Sequence, residues 1–195
     1  MSILDLCKTL MYDFHYNTIM KEYKPEDVKL LFTDTDSLCY YIKTTDIYKD
    51  MEKSKSKYDF SEYPKSHFLY DTTNNKVAGI FKCESKGMPI STFVGIRAKM
   101  YAFKYFKNGS EIEKKTAKGI KKYVIDNNLR FQNYKDAIFD ESKMIQYSSM
   151  NTIRSKKHDL YSIKINKVGI CSFDNKRYIL GDNINTLAFG HYSTK

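Results

Sequence analysis

Asp34 and Asp36 stand one residue apart in LLFTDTDSL (residues 30–38), where one apolar run stops and a second extended run, carrying Leu38, Tyr40 and Ile42, begins. Side chains two apart on extended backbone share a face, so both carboxylates can converge on one hard cation. Two neighbouring anions repel unless positive charge sits between them. Magnesium meets both conditions, because it takes oxygen ligands, keeps several waters and binds through one or two carboxylates plus substrate phosphates. Phosphoryl transfer uses such ions to clamp the attacking and leaving oxygens. Thr35 and Ser37 add small hydroxyls that suit a tight turn and bond locally to backbone. The same triplet also reads as an ordinary polar hairpin turn. The apolar flanks favour the metal reading, since strands hold ligands more accurately than loops do.

The elements around this tip follow from periodicity. Ile3, Leu6, Cys7, Leu10, Met11, Phe14 and Ile19 recur at helical spacing, which predicts a helix with a core-facing stripe that ends before Lys24-Pro25. After the hairpin, Thr45-Asp46 is placed to cap a short helix reaching Met51. KSKSK (residues 53–57) reads as a solvated loop, and Val77 to Cys83 as an extended run. From Phe93 an apolar and aromatic series is broken by Arg97, Lys99 and Lys104, and Asn108-Gly109 signals a hairpin before Ser110 to Thr116. Lys99 and Tyr101, two apart in that strand, face one side, an ammonium for a phosphate and a phenol for sugar or base. The alternative is a half-buried strand whose tyrosine fills the core while its lysine snorkels out.

KKTAKGIKK places Lys114, Lys115, Lys118, Lys121 and Lys122 around Gly119, a residue that lets backbone approach a phosphate closely. It reads equally as a charged helix entry. Beyond Gly119 the pattern is helical to about Glu141, residues 143–158 form a second basic stretch with Arg154, Lys156 and Lys157, and Leu160 to Ile179 reads as short strands before a turn at Gly181-Asp182.

Composition sets the frame. With 42% hydrophobic residues, 12 Phe and 17 Tyr in 195 residues, the chain can bury one ordinary core or two small ones. Lys and Arg number 33 against 23 Asp and Glu, a net charge of +10 that suits a polyanionic partner. Cys7, Cys39, Cys83 and Cys171 lack metal or disulfide spacing, and the four histidines are isolated from one another. No segment has the length of a membrane span or the build of a signal peptide. These features point to an intracellular, reducing compartment, nucleus or cytoplasm, with no membrane partner.

FTDTDSL, followed by RAKMYAF and KKTAKGIKK, resembles the C-terminal part of family B DNA polymerases, and is most similar to the protein-primed branch carried by viruses, linear plasmids and Maverick/Polinton-type elements. CKTLMYDFHY near the start and KRYILGDNINTLAFGHY at the end extend the similarity from about residue 5 onward. The resemblance implies that the hairpin is palm motif C, with Asp34 and Asp36 as catalytic and metal-binding residues, and Phe32 standing where the family has tyrosine. It implies that the K-x-Y element falls on Lys99 and Tyr101 at the primer end. It also implies DNA contact by Thr35, Ser37, Arg97, Lys118, Gly119, Lys121 and Lys122. The cofactor expected is Mg2+ in a two-metal site completed by an upstream aspartate outside this chain. The partners expected are primer-template DNA, dNTP and a terminal-protein primer.

The expected fold is α+β, a partial polymerase palm (an antiparallel hairpin with a flanking helix) over residues 1–118 followed by a small mixed thumb over 119–195. The family's upstream aspartate motif and its fingers motif have no counterpart here, and the residues before Asp34 read as one helix. The chain is therefore expected to be the C-terminal palm and thumb piece of a longer DNA-directed DNA polymerase, inactive by itself. Two other readings stand beside it. A non-enzymatic DNA-binding remnant of a virus or mobile element fits the charge but has no use for both acids. A D-x-D metal-dependent glycosyltransferase needs a nucleotide-sugar α/β unit ahead of the motif, where only a helix is expected.

Overall fold

A computed structural model describes residues 2–107, 109–173, 177–182, 185–188 and 190–194. Asn108 of the expected hairpin turn, and Lys176, Asn183, Ile184 and Phe189 of the closing segment, lie outside the described residues. The fold is α+β, built from helices and small sheets that are mostly antiparallel. The chain divides into two compact units, Met1–Thr92 with Lys104–Ile112, and Phe93–Phe103 with Glu113–Lys195, so Gly119 falls inside the second.

In the first unit, α1 (Ile3–Asp13) starts at Ser2, whose hydroxyl and amide both donate to Asp5 Oδ2, at 2.8 and 3.3 Å. The helix widens into a π-helical stretch, Phe14–Ile19, and closes with α2 (Met20–Glu22). Pro25 then opens a single 3-10 turn, Pro25–Asp27, because its ring fixes φ and its missing N–H costs nothing at a helix start. The expected core stripe is buried only in its second half. Met11, Phe14 and Ile19 are buried, whereas Ile3, Leu6 and Leu10 are 81%, 58% and 37% exposed. Helical periodicity identifies an apolar face without saying how far along the helix a partner reaches.

β1 (Val28–Asp34) and β2 (Ser37–Ile42) form an antiparallel hairpin. α3 (Ile47–Lys53) is capped as expected, with Asp46 accepting from the amides of Tyr48 and Lys49. The extended run expected over 77–83 contracts to β4 (Phe81–Lys82), which pairs in parallel with β3 (Tyr58–Asp59). KSKSK (residues 53–57) is exposed at Lys53, Lys55 and Ser56 as expected of a solvated stretch, but it is the end of α3 and a 3-10 turn, Lys55–Lys57, and not a loop. Lys53 pairs with Asp50, Lys55 with Asp71, and the Lys57 ammonium donates to Thr18 Oγ1. The core gathers Phe14, Ile19, Tyr58, Phe60, Tyr63 and Leu69, with Val28, Leu38 and Tyr40 of the hairpin packed on it.

β5 (Ile90–Arg97), β6 (Met100–Lys107) and β7 (Ser110–Ala117) make a three-stranded meander in that order, its halves shared between the two units. In the second unit α4 (Lys122–Asn128) and α5 (Phe131–Phe139) follow as the pattern predicts, then a 3-10 turn, Glu141–Lys143. Their core joins Val124, Ile125, Phe131 and Tyr134 to Met100, Ala102 and Ala117 of the meander, and the Tyr134 hydroxyl donates to Thr116 O at 3.1 Å.

The segment expected as a basic stretch and short strands is instead one long ribbon. β8 (Ile145–Lys156) and β9 (Asp159–Cys171) stay in register from Tyr147 opposite Val168 to Lys156 opposite Asp159. A two-residue turn, Lys157-His158, closes it with φ +49° and +72°. Positive φ at both central residues is the primed-turn geometry that matches strand twist, and Asn-Gly is its usual sequence signal. A small hairpin of β10 (Arg177–Ile179) and β11 (Thr186–Ala188), and a 3-10 turn at Tyr192–Thr194, complete the unit.

Candidate functional site

The carboxylates of the first unit sit where the sequence puts them, at the tip of the β1–β2 hairpin. Asp34 is the last residue of β1 and faces Ser37 across the ladder, leaving Thr35-Asp36 as the turn. The backbone between the acids is not extended. Thr35 has φ +54°, and the Asp36 amide donates to Asp34 O at 2.6 Å, closing a three-residue turn. The same-face argument therefore does not apply here, because the chain reverses between the two side chains. Asp34 is half-buried and Asp36 exposed. Ser37 Oγ donates to Asp34 O at 3.2 Å, so this hydroxyl braces the turn.

Behind the tip, a β-bulge at Leu31 shifts the pairing between Leu30 and Phe32. Bulges bend a strand and re-aim the side chains beyond them. Phe32 then lies opposite Cys39, a thiol that burial pushes up to about 11, and Tyr40 meets His15 Nδ1 at 2.9 Å through its hydroxyl. Burial also pushes Tyr40 up to about 12. The Cys39 thiol and Tyr40 hydroxyl are thus kept neutral, and Leu38 and Tyr40 seat the acid-bearing hairpin on the aromatic core. Asp36 is exposed, and Asp34, half-buried, accepts from Thr35 Oγ1 at 3.4 Å; such a pair suits a magnesium ion that retains several waters, and does not make an all-protein cage. Among the described residues, no group of three His, Cys, Asp or Glu is arranged to hold a metal ion.

In the second unit the basic positions come together around one turn. Lys99 is not in a strand: it occupies the two-residue turn between β5 and β6, exposed, with φ +59°. Its carbonyl accepts from the Lys118 amide at 3.0 Å, which ties that turn to the Lys118-Gly119 turn after β7. Gly119 has φ +85°, a conformation that glycine alone adopts without strain. Lys118, Lys121 and Lys122 are exposed, and none has a carboxylate partner among the described residues. Tyr101 lies in β6, half-buried, stacked with Phe93 and Phe103 at 6.3 Å from each, and Arg97 is half-buried at the end of β5. The pairing of Lys99 and Tyr101 on one strand face is thus replaced by a turn residue and a strand residue.

KKTAKGIKK separates into two functions. Lys114 lies over the Phe103 ring, 5.6 Å from its centroid. Lys115 is 9% exposed and donates to Leu129 O at 2.8 Å, satisfying a carbonyl at the end of α4. Strand alternation alone would separate this inward lysine from the outward ones.

No family model, curated protein or solved structure matches the chain.

Two features were not singled out from the sequence. Lys167 of β9 donates from Nζ to Gly119 O at 3.2 Å. Lys164 joins Arg154, Lys156 and Lys157 on the outer ribbon, where Asp159 is the single acid between residues 151 and 164. Both depend on the β8–β9 register, which no local pattern announces. No helix among the described residues is long and apolar enough to cross a membrane.

Proposed function

We propose that this chain is palm and thumb sequence of a family B DNA polymerase of the protein-primed type, working on primer-template DNA and dNTP. The observation that carries the reading is the acid pair, two solvent-accessible carboxylates at the tip of a hairpin whose other end is locked into an aromatic core. A merely electrostatic DNA binder has no need of them, since adjacent anions repel a polyanion. The basic turn and ribbon supply the complementary part, ammoniums that neutralise phosphates without reading sequence.

In the reaction proposed, the primer 3′-hydroxyl gives up its proton to solvent, its oxygen bonds to the α-phosphorus of the dNTP, the bond from that phosphorus to the bridging oxygen breaks, and pyrophosphate leaves with the electron pair. Magnesium held by Asp34 and Asp36 would supply charge neutralisation on the phosphate oxygens. The hairpin fixes the two carboxylates, and the exposed lysines hold the duplex. Catalysis of this kind is mostly positioning and electrostatics. Two carboxylates make only part of a two-metal site, so the 195-residue chain is proposed to bind primer-template and not to extend it.

The test is fluorescence anisotropy with a labelled primer-template over a salt series, with Mn2+ binding followed by electron paramagnetic resonance. Salt-dependent DNA binding together with Mn2+ binding that Asp36→Asn removes supports the reading. DNA binding with no metal binding favours the non-enzymatic remnant, and primer extension by the purified chain refutes the proposed division of labour.

A further inference from the structure

Gly119 and Lys167 are 48 residues apart in sequence and meet at one hydrogen bond, Lys167 Nζ to Gly119 O at 3.2 Å. The contact is close enough that a Cβ at position 119 would stand 2.7 Å from that nitrogen. Glycine is favoured here by φ +85°, and an added Cβ would also push the flexible end of Lys167 away from its present place. An ammonium has three donors, and the carbonyl takes one. Lys167 has no carboxylate partner among the described residues, and it is exposed on β9 beside the turn that carries Lys118. A flexible lysine held by a backbone carbonyl loses less side-chain freedom when it meets an anion.

We propose that Lys167 is a phosphate-contacting residue of the basic turn, its ammonium pre-positioned by the Gly119 carbonyl so that it and Lys118 meet the same stretch of nucleic-acid backbone. The proposal rests on the DNA-binding reading above and adds to it a residue from a different element. It also gives Gly119 a specific task, which is to present a carbonyl to a lysine.

Each phosphate neutralised contributes about 0.9 to the slope of log affinity against log salt for duplex DNA. Lys167→Gln in the full chain is expected to flatten that slope by about 0.9, so that between 50 and 200 mM salt the intact chain loses roughly 3- to 4-fold more affinity than the variant. Lys167→Arg, which keeps the charge and can still donate to the carbonyl, should restore the slope. Gly119→Ala keeps every charge but displaces the ammonium, and should flatten the slope as Lys167→Gln does. Thermal melts monitored by circular dichroism establish that the Lys167 variants are folded. If Lys167→Gln binds with the slope of the intact chain, whether more weakly or equally, this proposal is overturned and the DNA-binding reading survives. If the intact chain shows no salt-dependent DNA binding, both fall.

Discussion

Asp59→Asn is expected to cost the first unit about 2 kcal/mol at neutral pH and almost nothing near pH 2. The Asp59 side chain is only 4% exposed, and its carboxylate accepts from the amides of Ser61 at 2.9 Å and Lys76 at 3.4 Å and pairs with the Lys82 ammonium at 3.2 Å. Burial by itself would raise its pKa. The hydrogen bonds from Ser61, Lys82 and Lys76 outweigh that penalty and hold it at about 2, down from 3.8. Close to two pH units at about 1.4 kcal/mol each gives roughly 2–3 kcal/mol of stabilisation. A carboxylate whose folded pKa is depressed contributes fully above its unfolded pKa, and the contribution fades as the pH falls from about 4 towards 2. Asparagine keeps the shape and one acceptor but loses the ion pair with Lys82, which retains Glu62 at 3.0 Å. Tyr58 and Phe60 on either side of Asp59 belong to the core on which the acid-bearing hairpin rests, so loosening this carboxylate loosens that seat. The assay is urea unfolding of both proteins at pH 7, 5, 4, 3 and 2.5. A difference below about 0.5 kcal/mol at pH 7, or one that persists unchanged to pH 2.5, would refute the reasoning.

Three further outcomes are expected. Gly87→Ala should destabilise by about 2–4 kcal/mol in urea, because Gly87 has φ +77° and an added Cβ would lie 2.7 Å from the Tyr63 ring; a loss under about 1 kcal/mol contradicts this. Lys99→Gly should raise stability by roughly 0.5–1 kcal/mol, by relieving a left-handed backbone at φ +59°, while weakening DNA binding and flattening its salt slope; stabilisation with binding unchanged would remove Lys99 from the site. Asp36→Asn, at an exposed position, should leave the urea midpoint within about 0.5 kcal/mol of the parent while abolishing Mn2+ binding; a large stability change would give Asp36 a structural role instead.

Much of the framework was legible because its signals are local. The helix over the first residues, the Asp46 cap, the hairpin that ends at Asp34 and the helical stretch beyond Gly119, which forms as two helices, all follow from periodicity, capping chemistry and abrupt stops. What escaped were the turns made without glycine or asparagine. Ala98-Lys99 and Lys157-His158 carry no conventional turn signal, so Lys99 reads as a strand residue and the long β8–β9 ribbon as separate pieces. Once that register is lost, Lys167 cannot be placed beside Gly119, because nothing nearer than the ladder connects them. The fate of Lys115 was hidden for a related reason. Its charge reads as surface, whereas its strand position turns it inward to a helix-end carbonyl.

Those same turns bear on function. A left-handed backbone costs a non-glycine residue about 1–2 kcal/mol, and such strain persists only where the surrounding structure holds it. Thr35 forms the turn between the two acids at the hairpin tip, Lys99, an exposed residue, supplies a carbonyl to the Lys118 turn, and Lys157 with His158 forms the end of the basic ribbon. Each is clamped between two paired strands, which supply the hydrogen bonds that offset the strain. Glycine would make every one of these turns easier, yet at positions 99 and 157 it would remove the charge that the proposed nucleic-acid surface uses. Gly119 shows the converse arrangement. There the charge comes from Lys167 on another strand, and the turn residue, at φ +85°, is glycine and presents its carbonyl to that ammonium. At Lys99 and Lys157 the turn residue itself carries the ammonium and the fold bears the strain, whereas at Gly119 the ammonium comes from a neighbouring strand and the turn is glycine.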